Sequence, residues 1–427
     1  MTEDTTDESF LADFHHTTGY GATPAGGIDR QAGTKEHGDV RAWFRRRARE
    51  LGMTVTIDGL GNQYATYRWF QGAPSVLTGS HLDSQPLGGR FDGTYGVVAS
   101  LHAAARVNRD VRAHRITPHH NLTVVDWFNE EGARFAPSIM GSSGMAGIMD
   151  RDQLLAVTDV KGVTVREALE SIDCLGSDPA PVVAAYAEIH IEQGRLLERD
   201  DTAIGAVTQS WYTQKLVVTV AGEQSHTGAT VMADRHDALV AAAKIVVMTE
   251  DIVHDYDDES IVTSVGELHV EPNSPIVVPR EVRFVIDLRA RTVDDVLSAR
   301  RTLLDGIARI AEERDIAIGT EDFDVRDIQR FPLAGVELTE KAAADVGVDV
   351  RRLETMAGHD SVAMNRIAPS VMMFIPSVGG VSHCEREFST DDDMLRGLDV
   401  LTGVVTRLLD GALDDVAPGE PLHSAER

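Results

Sequence analysis

The chain has 427 residues, with 40 Lys+Arg against 68 Asp+Glu and a formal net charge of −28. A dispersed acidic surface repels phosphates and anionic lipid, which excludes nucleic acid and membrane as expected partners, and no run of about 18 apolar residues offers a membrane span. Two cysteines, Cys174 and Cys384, give no disulfide framework, and the acidic start MTEDTTDESF is no secretory leader, so a reducing cytoplasm is expected. The same charge predicts adaptation to high salt, where screening removes its self-repulsion.

The first ten residues and the last dozen carry the composition of disordered ends. From Val40 to Leu51, the residues Val40, Trp43, Phe44, Ala48 and Leu51 keep helical spacing, with Gly52 as a stop. Apolar runs then alternate with a helix: SVLTGS, NLTVVDWF and AAYAEIHIE read as strands, and TYGVVASLHAAARV as the helix. That alternation predicts an α/β domain with a mixed, largely parallel sheet. Between Trp211 and Asp324 the texture changes. Lys215 to Ala221 and Glu281 to Leu288 alternate as half-buried strands, with amphipathic helices near Arg235 to Val253 and Val293 to Arg314. This reads as a two-layer α+β domain inserted in the larger one. PSVMMFIPS then resumes the sheet, and Asp392 to Leu409 closes it as a helix. The expected division is 1–208 and 325–427 for the catalytic, metal-binding domain and 209–324 for the insert.

Five side chains suited to divalent metals stand in loops or at strand ends: His81, Asp92, Glu131, His190 and His383. Five donors exceed what one catalytic ion needs, which predicts two ions sharing a carboxylate, and hence a hydrolase. Asp92 lies in the glycine-rich turn Gly88-Gly89-Arg90-Phe91-Asp92-Gly93, where a carboxylate can bridge cations about 3.5–4 Å apart. Asp83, two residues beyond His81, is expected to accept the second N–H of that imidazole and orient it. Glu130 and Glu131 follow a strand directly. On extended chain they point opposite ways, so Glu131 reads as a ligand and Glu130 as the general base. Zinc suits these donors, and manganese, cobalt and nickel accept them too.

Together the stretches HLDSQPLGGRFDGTYGV, NEEGARF, HIEQGRLLE, SHTGATVM and GGVSHCERE resemble the amidase, hydantoinase and carbamoylase branch of the di-zinc aminoacylase/carboxypeptidase superfamily. That branch includes N-carbamoyl-L-amino acid hydrolases, β-ureidopropionases and allantoate amidohydrolases. The resemblance runs from about Gly26 to Leu409. It implies that the insert is a lid that also forms a homodimer, with His226 reaching the scissile carbonyl from the partner's lid. Gln193 is implied to lie near the substrate, and Asn273, Arg289 and Gly358 to hold its carboxylate. The chain departs from the branch at Val231, where proline is usual, and at Gln214 and Lys215, near where allantoate hydrolases carry paired arginines. The expected reaction is therefore hydrolysis of the ureido C–N bond of an N-carbamoyl amino acid or β-ureidopropionate. The alternatives are an allantoate amidohydrolase and a di-zinc aminoacylase or peptidase.

Overall fold

Short apolar runs build the middle of the fold, and each ends where polar chemistry begins. In the computed structural model, which describes residues 5–419 and 421–422, the strands in chain order are β1 (Thr54–Ile57), β2 (Gln63–Tyr67), β3 (Ser75–His81), β4 (Asn121–Trp127), β5 (Val183–Ile191), β6 (Ile204–Ser210), β7 (Tyr212–Ala221), β8 (Ser225–His226), β9 (Ile261–Glu271), β10 (Val277–Val278), β11 (Glu281–Ala290), β12 (Ala317–Arg326), β13 (Ile328–Gln329), β14 (Val350–Thr355), β15 (Ser370–Ile375) and β16 (Pro421–Leu422). The chain forms two compact units; of the described residues, one takes those up to Gln209 and from Gln329 to Gly419, the other Ser210–Ile328 with Pro421 and Leu422.

The first unit holds an eight-stranded sheet in the order β1-β2-β4-β3-β5-β15-β6-β14. The inner strands β4, β3, β5 and β15 run parallel, and antiparallel pairing begins outside them, at β2–β4 and β15–β6. Every residue of β3, β4 and β15 is buried, as parallel strands covered on both faces require. Val97, Leu101, Leu398, Leu401 and Val405 from helices Thr94–Arg112 and Asp391–Leu409 share one core with Val76, Ile189 and Met373 of the strands. Each such side chain stabilises the fold by roughly 1.5–3 kcal/mol on full burial. The fold class is the expected one: α/β around a largely parallel sheet, with a separate antiparallel unit.

One end of the chain differs from expectation. Asp7–Phe10 are not disordered: they open the helix Asp7–Thr17, whose Phe10 and Phe14 are fully buried. The acidic residues hid an apolar pair at i, i+4, too short a pattern to register as periodicity. Residues 1–4, and 420 and 423–427 at the other end, lie outside the described residues.

The second unit is two-layered. Its antiparallel sheet has the order β12-β7-β11-β9. Leu216, Val218 and Val220 of β7 and Val282, Phe284, Ile286 and Leu288 of β11 alternate inward to meet helices Ala238–Asp251 and Val293–Arg314. Among the described residues, no helix is long and apolar enough to cross a membrane.

Candidate metal centre

Parallel strands deliver loops to one end of their sheet, where sites in open α/β folds are built. His81 is the last residue of β3, Glu130 and Glu131 follow β4, His190 is the penultimate residue of β5, and His383 lies beyond β15. Asp92 precedes helix Thr94–Arg112, in the turn after β3. Gly93 takes φ 62°, and a Cβ there would stand 2.4 Å from the His81 ring, so only glycine lets this turn close on the imidazole.

The five residues converge on Asp92. His190 Nε2 is 2.9 Å and His81 Nε2 3.4 Å from its Oδ1. On the other side, His383 Nε2 is 3.2 Å from Oδ2 and 3.4 Å from Glu131 Oε2. Two groups result, His81 with Asp92 and His190, and Asp92 with Glu131 and His383. In each, donor atoms lie within 4.8 Å of one another. One carboxylate thus turns an oxygen to each group.

Hydrogen bonds decide which nitrogens face inward. His81 Nδ1 donates to the main-chain oxygen of Asp83 at 3.0 Å, and His190 Nδ1 to that of Ile191 at 2.8 Å. In the neutral form that a metal ligand requires, each ring therefore aims an unprotonated Nε2 at Asp92. Burial opposes charge on His81, but Glu130, Asp92 and Asp83 outweigh it and hold its pKa well above the ordinary value. His383 is likewise pushed up to about 10, with burial opposed by Glu131, Asp92 and Glu387. The cluster thus calls for positive charge. Three imidazoles and two carboxylates with convergent lone pairs fit divalent cations, and these five residues would hold them.

Two expectations need correction. Asp83 does not orient His81 through its carboxylate, whose nearer oxygen is 3.6 Å from Nδ1; its main-chain oxygen makes that bond. The carboxylate instead accepts the main-chain N–H groups of Glu130 and Glu131 at 3.2 and 3.3 Å. Nor is the glutamate pair on extended chain. Asn129 sits in the left-handed region at φ 54°, and a turn sends Glu130 toward His81 (3.6 Å) and Glu131 toward His383. Glu130 is buried, and burial, with Asp360, Glu131 and Asp92 adding like charge, raises its pKa well above the usual carboxylate range.

Gln193 Nε2 donates to Asp92 Oδ2 at 2.6 Å. Gly358 is half-buried, directly before His359. The other three substrate-side candidates belong to the second unit. His226, in β8, accepts N–H bonds from Gly228 and Ala229 at Nδ1, at 2.9 and 3.0 Å. Arg289, in β11, lays its fork on Asp287, with Nη2 2.7 Å from Oδ2. Asn273 is exposed after β9.

Residues that the motifs did not single out also shape the site. Glu387 Oε1 accepts the N–H groups of Phe91 and Asp92 at 2.8 and 3.0 Å, and Oε2 accepts the Ser382 hydroxyl at 2.7 Å. It ties the Asp92 turn to the His383 loop, and the close of GGVSHCERE was its only sequence signal. His359 packs its buried ring 4.7 Å from that of His190, and its Nε2 has no hydrogen-bond partner among the described residues. Its signal was its place next to Gly358.

Comparison with known proteins identifies relatives along most of the chain. The description Peptidase family M20/M25/M40 matches residues 77–407. A Mycolicibacterium smegmatis (strain ATCC 700084 / mc(2)155) protein named only as a hydrolase is 47% identical over 97% of this chain and 96% of its own. The N-carbamoyl-L-amino-acid amidohydrolase of Rhizobium meliloti is 34% identical over 88% of this chain and 90% of its own. The solved structure of an amidase of the hydantoinase/carbamoylase family from Burkholderia vietnamiensis superposes with a TM-score of 0.90 at 34% identity, covering 96% of this chain and 99% of that one. On its matched length and its metal-suited cluster together, the chain is a hydrolase and belongs to the metal-dependent peptidase family M20/M25/M40, beside the hydantoinase/carbamoylase amidases.

Proposed function

We propose that the protein hydrolyses the ureido C–N bond of an N-carbamoyl-L-amino acid or β-ureidopropionate, releasing ammonia, carbon dioxide and the free amino acid. The observation that carries this reading is the division of the Asp92 carboxylate, Oδ1 to His81 and His190 and Oδ2 to His383. A pair of divalent cations, zinc first among them, would be held by His81, Asp92, Glu131, His190 and His383, and when bound supplies a Lewis acid and an acidified water.

The chain's own groups do the rest. Glu130 takes the proton of the attacking water and returns it to the departing nitrogen, a role suited to a buried carboxylate whose pKa is raised. His226 donates a hydrogen bond to the carbonyl oxygen as charge develops there. Gln193 holds Asp92 and borders the substrate, while Asn273, Arg289 and the backbone at Gly358 take its carboxylate. In this reading the second unit is a lid and the contact surface of a homodimer, the enzyme works in the cytoplasm, and its acidic surface suits it to high salt.

The test is ammonia release by metal-reconstituted protein from N-carbamoyl amino acids, N-carbamoyl-β-alanine and allantoate. Turnover of the first or second class is expected, and Glu130→Gln should keep its metal while losing about 10²–10⁴-fold in rate. Turnover of allantoate alone overturns the substrate assignment, as does acetate release from N-acetyl amino acids, followed separately, without ammonia release from any of the three. Full activity of Glu130→Gln overturns the base.

A further inference from the structure

Arg30 lies ahead of every chemical motif in the chain, yet its side chain is fully buried and reaches the loops that carry the metal-suited residues. Nε donates to the main-chain oxygen of Leu82 at 2.7 Å, between His81 and Asp83. Nη2 donates to Thr94 Oγ1 at 2.5 Å, two residues beyond Asp92. Nη1 donates to the main-chain oxygen of Thr17 at 2.8 Å, which anchors the guanidinium on the N-terminal helix. The Arg30 main-chain N–H donates to Ser84 Oγ at 3.0 Å, next to Gln85, whose amide holds Glu131 Oε2 at 2.8 Å. The same segment pairs Ile28 with Gly88 in the Asp92 turn, through main-chain bonds of 3.1 and 2.8 Å. Among the described residues, no carboxylate bonds to the guanidinium. Its counter-charge comes from Asp126 and Asp83 at longer range, while burial lowers its pKa to about 10 and leaves it a cation at neutral pH.

A buried guanidinium is costly to desolvate, and a purely structural bracket could be built from neutral groups. Its planar fork has directions that a flexible ammonium or a neutral amide cannot reproduce. We propose that Arg30 is a positioning residue for the metal centre: by bonding Leu82 and Thr94 at once, it fixes the spacing of His81 and Asp92, and with it the affinity for the cation. This rests on the metal reading of the site.

The experiment titrates the metal-free protein with Co²⁺, following the visible absorption of the ion, its loss to a chelator and the thermal midpoint. Native protein comes first; if it binds no cobalt, the metal reading itself fails, and this inference with it. Given native binding, Arg30→Lys and Thr94→Val should each weaken cobalt binding about 10–100-fold and alter the visible band, the magnitude typical of groups that orient metal ligands. Thr94→Ser, which keeps the hydroxyl, should restore both. Should Arg30→Lys fail to fold, the Thr94 pair decides alone. Variants that bind cobalt with native affinity and spectrum, even at a lower thermal midpoint, overturn the proposal.

Discussion

The ring of His226 carries its proton on a defined atom. Because Nδ1 accepts from both Gly228 and Ala229, the neutral ring keeps its hydrogen on Nε2 and offers a donor rather than a base. That suits a group which meets a carbonyl oxygen as it gains charge. His226→Ala is expected to bind metal as the native protein does and to lose about 10²–10³-fold in turnover. His226→Asn, which retains a donor, should recover part of it; metal content by atomic absorption beside steady-state rates checks both. Unchanged turnover in His226→Ala would remove the residue from the reaction. At this scale the sequence was most legible where residue type alone announces chemistry, as in His81, Asp92 and His190. It was least legible where an ordinary acid works through hydrogen bonds, as Glu387 does for the N–H groups of Phe91 and Asp92. Nothing in a lone glutamate says which backbone it will meet 295 residues away.

Among the elements, a single carboxylate joins three helices. Asp13, on helix Asp7–Thr17, accepts from Arg47 Nε at 2.6 Å and from His102 Nε2 at 2.8 Å, on helices Lys35–Glu50 and Thr94–Arg112. Burial pushes the Asp13 pKa up, but these two bonds outweigh it and leave it below the usual value. Burial also keeps His102 below the ordinary imidazole value, so the neutral ring is the donor. The sign follows: a depressed carboxylate stabilises the fold above its unfolded pKa of about 3.9, and that contribution is lost as pH falls through the folded value. Asp13→Asn should therefore lower the unfolding free energy by about 1–3 kcal/mol near pH 7, with the gap from native protein narrowing below about pH 4. Urea melts at both pH values measure this, and an equal gap at each would refute it. The helix Thr94–Arg112 was readable from its periodicity. The N-terminal helix that braces it was not, because its acidic surface masks the buried Phe10 and Phe14.

For the molecule as a whole, the decisive quantity is charge. Asp255, Asp257, Asp258 and Glu259 are exposed, as are Asp391 and Asp392, and the net charge of −28 has few lysines to offset it. Screening length falls from about 10 Å at 0.1 M salt to about 3 Å at 1 M, so self-repulsion of this surface fades across that range. Thermal midpoint and activity should both rise from dilute buffer to molar NaCl; full stability and activity in dilute buffer would refute salt adaptation. Charge, strand texture and motif residues are properties of the chain itself, so the α/β class and the family could be read from letters in order. Partnership could not. That Asp92 divides its oxygens between two groups, that Asp83 grips the glutamate turn rather than His81, and that Arg30 spans two loops became visible only in three dimensions. Hydrogen-bond direction and side-chain convergence depend on where strands end in space, and separation along the chain carries no record of that.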